Sequence, residues 1–298
     1  MFPFRIVAIH TARHGTAYSS KGIGLEPEWG DSAASIEEFL ERAGAEVAVE
    51  ITTLNPESGE PGISHIRAAF SRGIHVITAN KGPIAHAFSA LQAQARQAQV
   101  EFRFESTVMD GTPVFNNVRN NLPGVRILGF RGVLNSTSKL VLAAMQRGFS
   151  MQEGIREAQA MGIAEADPWY DIDGWDSAAK AAALANVLMN AGTTPQRVDR
   201  RGLRDIDPTE PAKLARQGRI LQLVSSAELA QDGSVRLTVR PEVFEKDDLL
   251  AAVSGTSNLL LLNTDLMGTI GTLSINPGVE QTAYGLFSDL VDTARSVL

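Results

Sequence analysis

Apolar and polar positions follow two rhythms along the chain. In the first, short apolar runs of strand length are separated by stretches whose apolar residues recur every three or four positions, as on one face of a helix. Phe4 to Thr11 predicts a buried strand. Ser35 then precedes a helix from Ile36 to Gly44, with Glu38 at capping-box spacing and Gly44 placed to close it. Strands are predicted at 47–52, 75–79 and 100–105, with helices at 62–72 and 86–99, the latter carrying Phe88, Leu91 and Ala95 on one face. Strands and helices in this alternation imply right-handed βαβ units in a parallel sheet, with ligands expected at the carboxyl ends of the strands.

Beyond about residue 125 the rhythm changes. Val235, Leu237 and Val239 alternate with Arg236, Thr238 and Arg240 directly after the turn signal Asp232-Gly233, which predicts a half-exposed antiparallel strand. Further strands at 219–229, 257–263 and 268–275, with helices at 136–148, 151–162 and 176–191, complete an α+β unit. The fold class expected is therefore a Rossmann-like α/β parallel sheet over residues 1–124, joined to an α+β unit over 125–281. A closing helix at 282–298 is expected to pack back on the first part.

Composition narrows the function. The chain has 298 residues, enough to bury a substantial core, and it has no cysteine, which removes disulfides, thiolate nucleophiles and cysteine-bound metals and suits a reducing, cytoplasmic setting. A net charge of −7 argues against a polyanion such as nucleic acid as partner. No apolar stretch approaches the roughly 20 residues that cross a bilayer, so no membrane partner is expected.

Two clusters hold chemistry-bearing residues. Glu165, Asp167, Asp171, Asp173 and Asp176 precede Lys180 in one turn-rich stretch, interleaved with Trp169, Tyr170 and Trp175. Asp176 and Lys180 are four residues apart at a helix start, so both project from one face, and the carboxylate gains from the helix dipole. An acidic turn capping a helix accounts for much of this stretch, but aromatics among the carboxylates favour a walled pocket. The second cluster, Thr78-Ala-Asn80-Lys81-Gly-Pro83, lies where a strand ends and Pro83 can begin a helix. There Lys81 can meet a ligand or solvent, and Asn80 can satisfy backbone groups of the turn.

The runs Asn55-Pro-Glu-Ser-Gly-Glu-Pro, His75-Val-Ile-Thr-Ala-Asn-Lys-Gly-Pro, Glu105-Ser-Thr-Val-Met-Asp-Gly-Thr-Pro and Gly132-Val-Leu-Asn-Ser-Thr, followed by the acidic cluster, occur in an order and spacing that closely resemble homoserine dehydrogenase over nearly the whole chain. The resemblance implies reversible reduction of aspartate 4-semialdehyde to homoserine with NADP, or NAD, in the aspartate-derived route to threonine, methionine and isoleucine. It implies Lys180 as proton donor, Asp176 as its anchor and as a substrate contact, and Lys81 near cofactor and substrate. Glu165 and Asp171 would meet the substrate's ammonium. Arg13, Thr78, Lys81, Gly162 and Gly278 would face the cofactor, Arg13 by meeting a 2′-phosphate. A sodium or potassium ion would lie at Glu105, Val108, Asp110 and Thr112, and the protein would be a homodimer.

The chain departs from that family in several places. No Gly-x-Gly-x-x-Gly turn occurs, so the run at 4–11 corresponds to the family's second strand, and a chain truncated ahead of Met1 is expected. Ser136 and Lys139 stand where the family usually has Gly and Asn, and Asn276-Pro-Gly278-Val replaces a longer glycine-rich turn. No regulatory module is expected after Leu298. A non-catalytic binding or assembly subunit that keeps the substrate pocket is the alternative function.

Overall fold

A computed structural model describes residues 3–297. The chain opens with a hairpin of β1 (Ala8–Thr11) and β2 (Gly15–Tyr18), followed by α1 (Ile36–Ala43), β3 (Val47–Glu50), α2 (Gly62–Phe70), β4 (His75–Thr78), α3 (Lys81–Gln97) and β5 (Phe102–Arg103). A 3-10 turn at Glu105–Thr107 leads to α4 (Phe115–Asn121), β6 (Ile127–Val133), α5 (Ser136–Gln146), α6 (Met151–Ala160), α7 (Trp169–Ile172) and α8 (Trp175–Leu188). The remainder comprises β7 (Asp199–Arg200), α9 (Glu210–Arg216), β8 (Arg219–Leu229), β9 (Val235–Glu245), β10 (Asn258–Thr264), β11 (Thr269–Ser274) and α10 (Val279–Val297).

Strands β3, β4 and β5 form a parallel sheet in that order, each joined to the next through a helix. The strands from β6 onward form a six-stranded sheet of order β11-β10-β6-β8-β9-β7, antiparallel except where β7 joins β9. The local chemistry of α1 matches its sequence: Ser35 accepts from the Glu38 amide, and Gly44 closes the helix at φ 55°. The full capping box belongs instead to α6, between Ser150 and Glu153.

Several sequence expectations are corrected. The run 4–11 does not enter the parallel sheet: only Ala8–Thr11 is extended, and it pairs antiparallel with β2 through a turn whose Gly15 has φ 85°. Phe4 and Ile6 remain exposed because neither sheet face covers them. Helix α3 starts at Lys81, not 86, because the Asn80 side chain accepts from the Gly82 amide and nucleates the turn around Pro83. Strand β5 is two residues long, since Glu105 already turns into the 3-10 segment. Strand β6 was not anticipated, although it lies between β10 and β8 in the six-stranded sheet; its Gly129, Arg131 and Gly132 break the apolar pattern. Gly129 permits close approach, since a Cβ there would meet the Ala227 carbonyl of β8.

The two sheets are joined through helices. Helix α8 carries buried Ala178, Ala179, Ala181, Ala182, Ala183 and Ala185, small enough for α3 to lie closely against it. Asn186 secures the contact by donating to the carbonyls of Ile84 at 3.1 Å and Ala85 at 3.2 Å. Helix α10 returns to the end of the parallel sheet: Asp289 accepts from the Glu105 amide at 2.8 Å, and the Thr282 carbonyl accepts from Ser106 Oγ at 2.9 Å. The contact needs Gly285, where a methyl would overlap Ser106 Oγ and Gly111. Gly285→Val is expected to cost about 1–3 kcal/mol through overpacking, read as a lowered Tm; an unchanged Tm would show that α10 is not held in this way.

Candidate active site

Three helix starts converge between the sheets. Lys81 is the first residue of α3, Asn135 caps α5, and Asp176 is the second residue of α8. A helix N-terminus favours Asp176 and disfavours Lys81, so Lys81 needs compensation there. Asp176 provides it: Oδ1 lies 3.3 Å from Lys81 Nζ, and Oδ2 lies 3.2 Å from Lys180 Nζ. One carboxylate thus bridges two ammoniums.

Asn135 organises the acids. Its carboxamide oxygen accepts from the Ser138 amide at 2.7 Å, which caps α5, while its Nδ2 donates to Asp171 at 2.8 Å and to Asp176 at 2.9 Å. Lys180 also donates to the Leu134 carbonyl at 2.6 Å, at the end of β6. Strand β6 and α5 therefore place the acceptors, and α8 brings the lysine to them.

The electrostatics separate the two aspartates. Burial opposes charge on Asp176, but Lys180 and Lys81 outweigh it and hold its carboxyl far below the usual range. Burial and the charge of Asp176 push the Asp171 carboxyl up, against the hydrogen bonds from Thr137 and Asn135. Burial also opposes charge on Lys180, yet Asp176, Asp110 and Asp171 together raise its pKa above the ordinary lysine value. Lys180 is therefore an ammonium throughout the neutral range. Two of its three N–H groups meet Leu134 and Asp176, which leaves one donor.

The other predicted positions are distributed differently. Glu165 is exposed on the loop before α7, and its backbone carbonyl accepts from Gln159. Thr78 is fully buried, its hydroxyl donating to Glu50 at 3.0 Å and accepting from the Asn80 amide at 2.9 Å, so that hydroxyl is committed to holding β3 to β4. Gly162, at φ 70°, ends the turn after α6, while the Gly278 amide donates to Gln281 at the start of α10. Arg13 stands exposed in the β1–β2 turn, outside the parallel sheet, and no hydrogen bond or ion pair joins it to Lys81 or Asp176.

The Glu105 carboxylate accepts from the amides of Val114, Phe115 and Asn116 at 2.6, 2.8 and 2.6 Å, capping α4. The Asp110 carboxylate accepts from Asn258 at 3.3 Å, and the Thr112 amide donates to the Met109 carbonyl. Both carboxylates are thus engaged within the protein, and a sodium or potassium ion at this loop would meet backbone carbonyls, that of Val108 among them. Among the described residues no group of three or more His, Asp or Glu has metal-binding geometry.

Comparison with known proteins decides the family. The homoserine dehydrogenase family model matches residues 113–291. An NAD(+)-dependent homoserine dehydrogenase of Pseudomonas canavaninivorans is 37% identical over 93% of this chain and 79% of its own length. The chain belongs to the homoserine dehydrogenase family. A homoserine dehydrogenase of Methanocaldococcus jannaschii is 34% identical over 98% of this chain and 90% of its own. A hyperthermophilic archaeal homoserine dehydrogenase solved in complex with NADPH superposes with a TM-score of 0.81 at 27% identity, covering 97% of this chain and 88% of that one. Homoserine dehydrogenases are oxidoreductases, so the non-catalytic alternative is not favoured.

Residue types alone left three residues in and beside the site unassigned. Asn135, Thr137 and Lys139 lie on the cap and first turn of α5, and all three are buried. The apolar run ending at Leu134, followed by Asn-Ser-Thr, was the available signal of a strand end and a helix cap.

Proposed function

We propose that this chain catalyses reversible, nicotinamide-dependent reduction of L-aspartate 4-semialdehyde to L-homoserine, with Lys180 delivering the proton to the aldehyde oxygen. The observation that carries the reading is the Asp176 bridge, which presents two partly buried ammoniums where an oxyanion develops. The cofactor supplies the hydride to the carbonyl carbon. The ends of β3 and β4 beside Lys81 suit the nicotinamide end of that cofactor, as strand ends of a parallel sheet do. One relative is named for NAD(+) and one neighbour was solved with NADPH. Arg13, exposed just beyond β1, would meet a 2′-phosphate and favour NADP.

Lys180 points its remaining N–H at the carbonyl oxygen and releases a proton as the carbon–hydrogen bond forms; Asp176 keeps it charged and in place. Lys81, with one donor on Asp176, stabilises the same oxygen or orients the aldehyde. Asp171 and Glu165 receive the substrate's α-ammonium. A cofactor part up to residue 124 precedes a substrate part at 125–281, the returning helix α10 begins at Val279, three residues earlier than the sequence indicates, and two copies associate through the six-stranded sheet, whose outer strand β11 exposes Leu273. No helix among the described residues is long and apolar enough to cross a membrane.

The test is oxidation of NADPH or NADH on adding L-aspartate 4-semialdehyde. A folded protein that turns over neither coenzyme would refute the reading. The elevated carboxyl of Asp171 adds a pH signature. As pH falls, Asp171 takes up a proton before an ordinary aspartate does, and its attraction for the ammonium is lost. KM for the aldehyde is therefore expected to rise on acidification, and Asp171→Asn should raise KM at neutral pH and flatten that rise. The same slope in the variant would remove Asp171 from substrate binding.

A further inference from the structure

Lys139 lies on the first turns of α5 and is 3% exposed. Its Nζ donates to the Ser257 carbonyl and to Asn258 Oδ1, the latter at 3.3 Å. The same Asn258 donates through Nδ2 to Asp110 at 3.3 Å, and Ser257 Oγ meets Asn276 Oδ1 at 3.2 Å. Lys139 therefore ties the helix whose cap holds Asp171 and Asp176 to the start of β10 and, through Ser257, to the turn before α10.

The charges around it are already matched. From α8 it faces Lys180, and from the segment before α4 it faces Asp110; Asp171 on α7 lies at the cap of its own helix. Asp176 is shared by Lys81 and Lys180, Asp171 is bonded to Asn135, and Asp110 is bonded to Asn258. No carboxylate lies within ion-pair distance of Lys139 among the described residues. An ammonium has three N–H donors and a neutral amine two, and two acceptors surround this nitrogen. A buried cation without a partner is costly, and the group avoids that cost by releasing its proton.

We propose that Lys139 is a positioning residue for the reduction, a buried amine that is uncharged above neutral pH, anchors the 255–258 turn and leaves Lys180 as the cation on that side. Burial and the charge of Lys180 bring its pKa down to about 7, against the attraction of Asp110. Above that pH the amine satisfies both acceptors. Below it, a third N–H lacks an acceptor and a second positive charge opposes Lys180, so the proton donor is displaced from Leu134 and Asp176. The amine's state follows from the geometry; its effect on turnover rests on the function proposed above.

The two parts are tested separately. In protein labelled with 13C at lysine Cε, the resonance lost in Lys139→Gln should titrate near neutrality, three or more units below ordinary lysine. Titration of that resonance in the ordinary lysine range would overturn the proposal, whether or not the protein turns over the aldehyde. In kinetics, wild-type kcat should fall on the acid side of neutrality. Lys139→Gln, which keeps donors for Ser257 and Asn258, should retain most of the rate at pH 8 and lose that acid limb, while Lys139→Met should lose about tenfold in kcat at pH 8 through misplacement. An acid limb unchanged in Lys139→Gln would overturn the positioning role. Stability gives a third reading: the unfolded chain binds this proton between about pH 7 and 10.5 and the folded one does not, so Lys139→Gln should gain Tm at neutral pH, with the gain vanishing towards pH 10.5. An inactive wild type would refute the substrate reading alone, because the resonance and the Tm still decide the state of Lys139.

Discussion

Lys180→Met is expected to lower kcat for aldehyde reduction by about 10²–10⁴-fold, the usual range for loss of a positioned general acid. The fold should tolerate the change. Lys81 remains 3.3 Å from Asp176, and Asn135 still donates to it, so the buried carboxylate keeps a cation and a hydrogen bond. Methionine fills the volume of the alkyl chain, and KM should change less than kcat, because the proposed ammonium acceptor Asp171 and its bond from Asn135 are left in place. Steady-state rates beside Tm separate chemistry from folding. If the variant retains rates within threefold of wild type, Lys180 is not the donor; if Lys81→Met loses more rate than Lys180→Met, the role belongs to Lys81.

Asp176→Ala should have the second largest effect, in both stability and rate. It leaves two ammoniums without the carboxylate that bridges them, and breaking a buried ion pair from one side costs about 3–5 kcal/mol. Without Asp176, burial acts on Lys180 with less opposition and its pKa falls. The expected outcome is a Tm lower by several degrees and kcat/KM lower by about 10²-fold or more. Removing one cation as well should recover part of the stability: Lys81→Met in the Asp176→Ala background should raise Tm, since one unpaired charge then remains in place of two. Strict additivity of the two changes would mean that Lys81 and Asp176 are not coupled.

Legibility in the sequence followed the range of the interactions. The cap of α1 needed only Ser35, Glu38 and Gly44, all within ten residues of one another; Ser35 and Gly44 act as the sequence indicates, while the Glu38 carboxylate accepts from the Ala34 amide in place of that of Ser35. The alternation in β9 behind Asp232-Gly233 was likewise local: the turn forms with Gly233 at φ 83°, and β9 extends beyond the alternating run to Glu245. Strand β6 was missed because its glycines are explained by neighbours about a hundred residues or more away, Gly129 by Ala227 of β8 and Gly132 by Leu259 of β10. The run 4–11 was misplaced for the converse reason. Apolar character marks a strand, but whether that strand joins a parallel sheet or folds back on itself depends on the partner at its edge.

The Asp176–Lys180 pair was determined by sequence alone, because four residues of helix fix two side chains on one face and the dipole selects the sign at its start. The strand-end position of Lys81 was equally readable. That these three charges form one unit was decided by tertiary structure: the small alanines of α8 let α3 approach, and that approach sets the distance from Lys81 to Asp176. The same holds for Asn135, whose cap geometry is local while its bonds to Asp171 and Asp176 span about forty residues. It holds most strongly for Lys139, marked in the sequence only as a departure from the family's pattern, whose ionisation depends on how many acceptors and opposite charges the folded chain brings to its nitrogen.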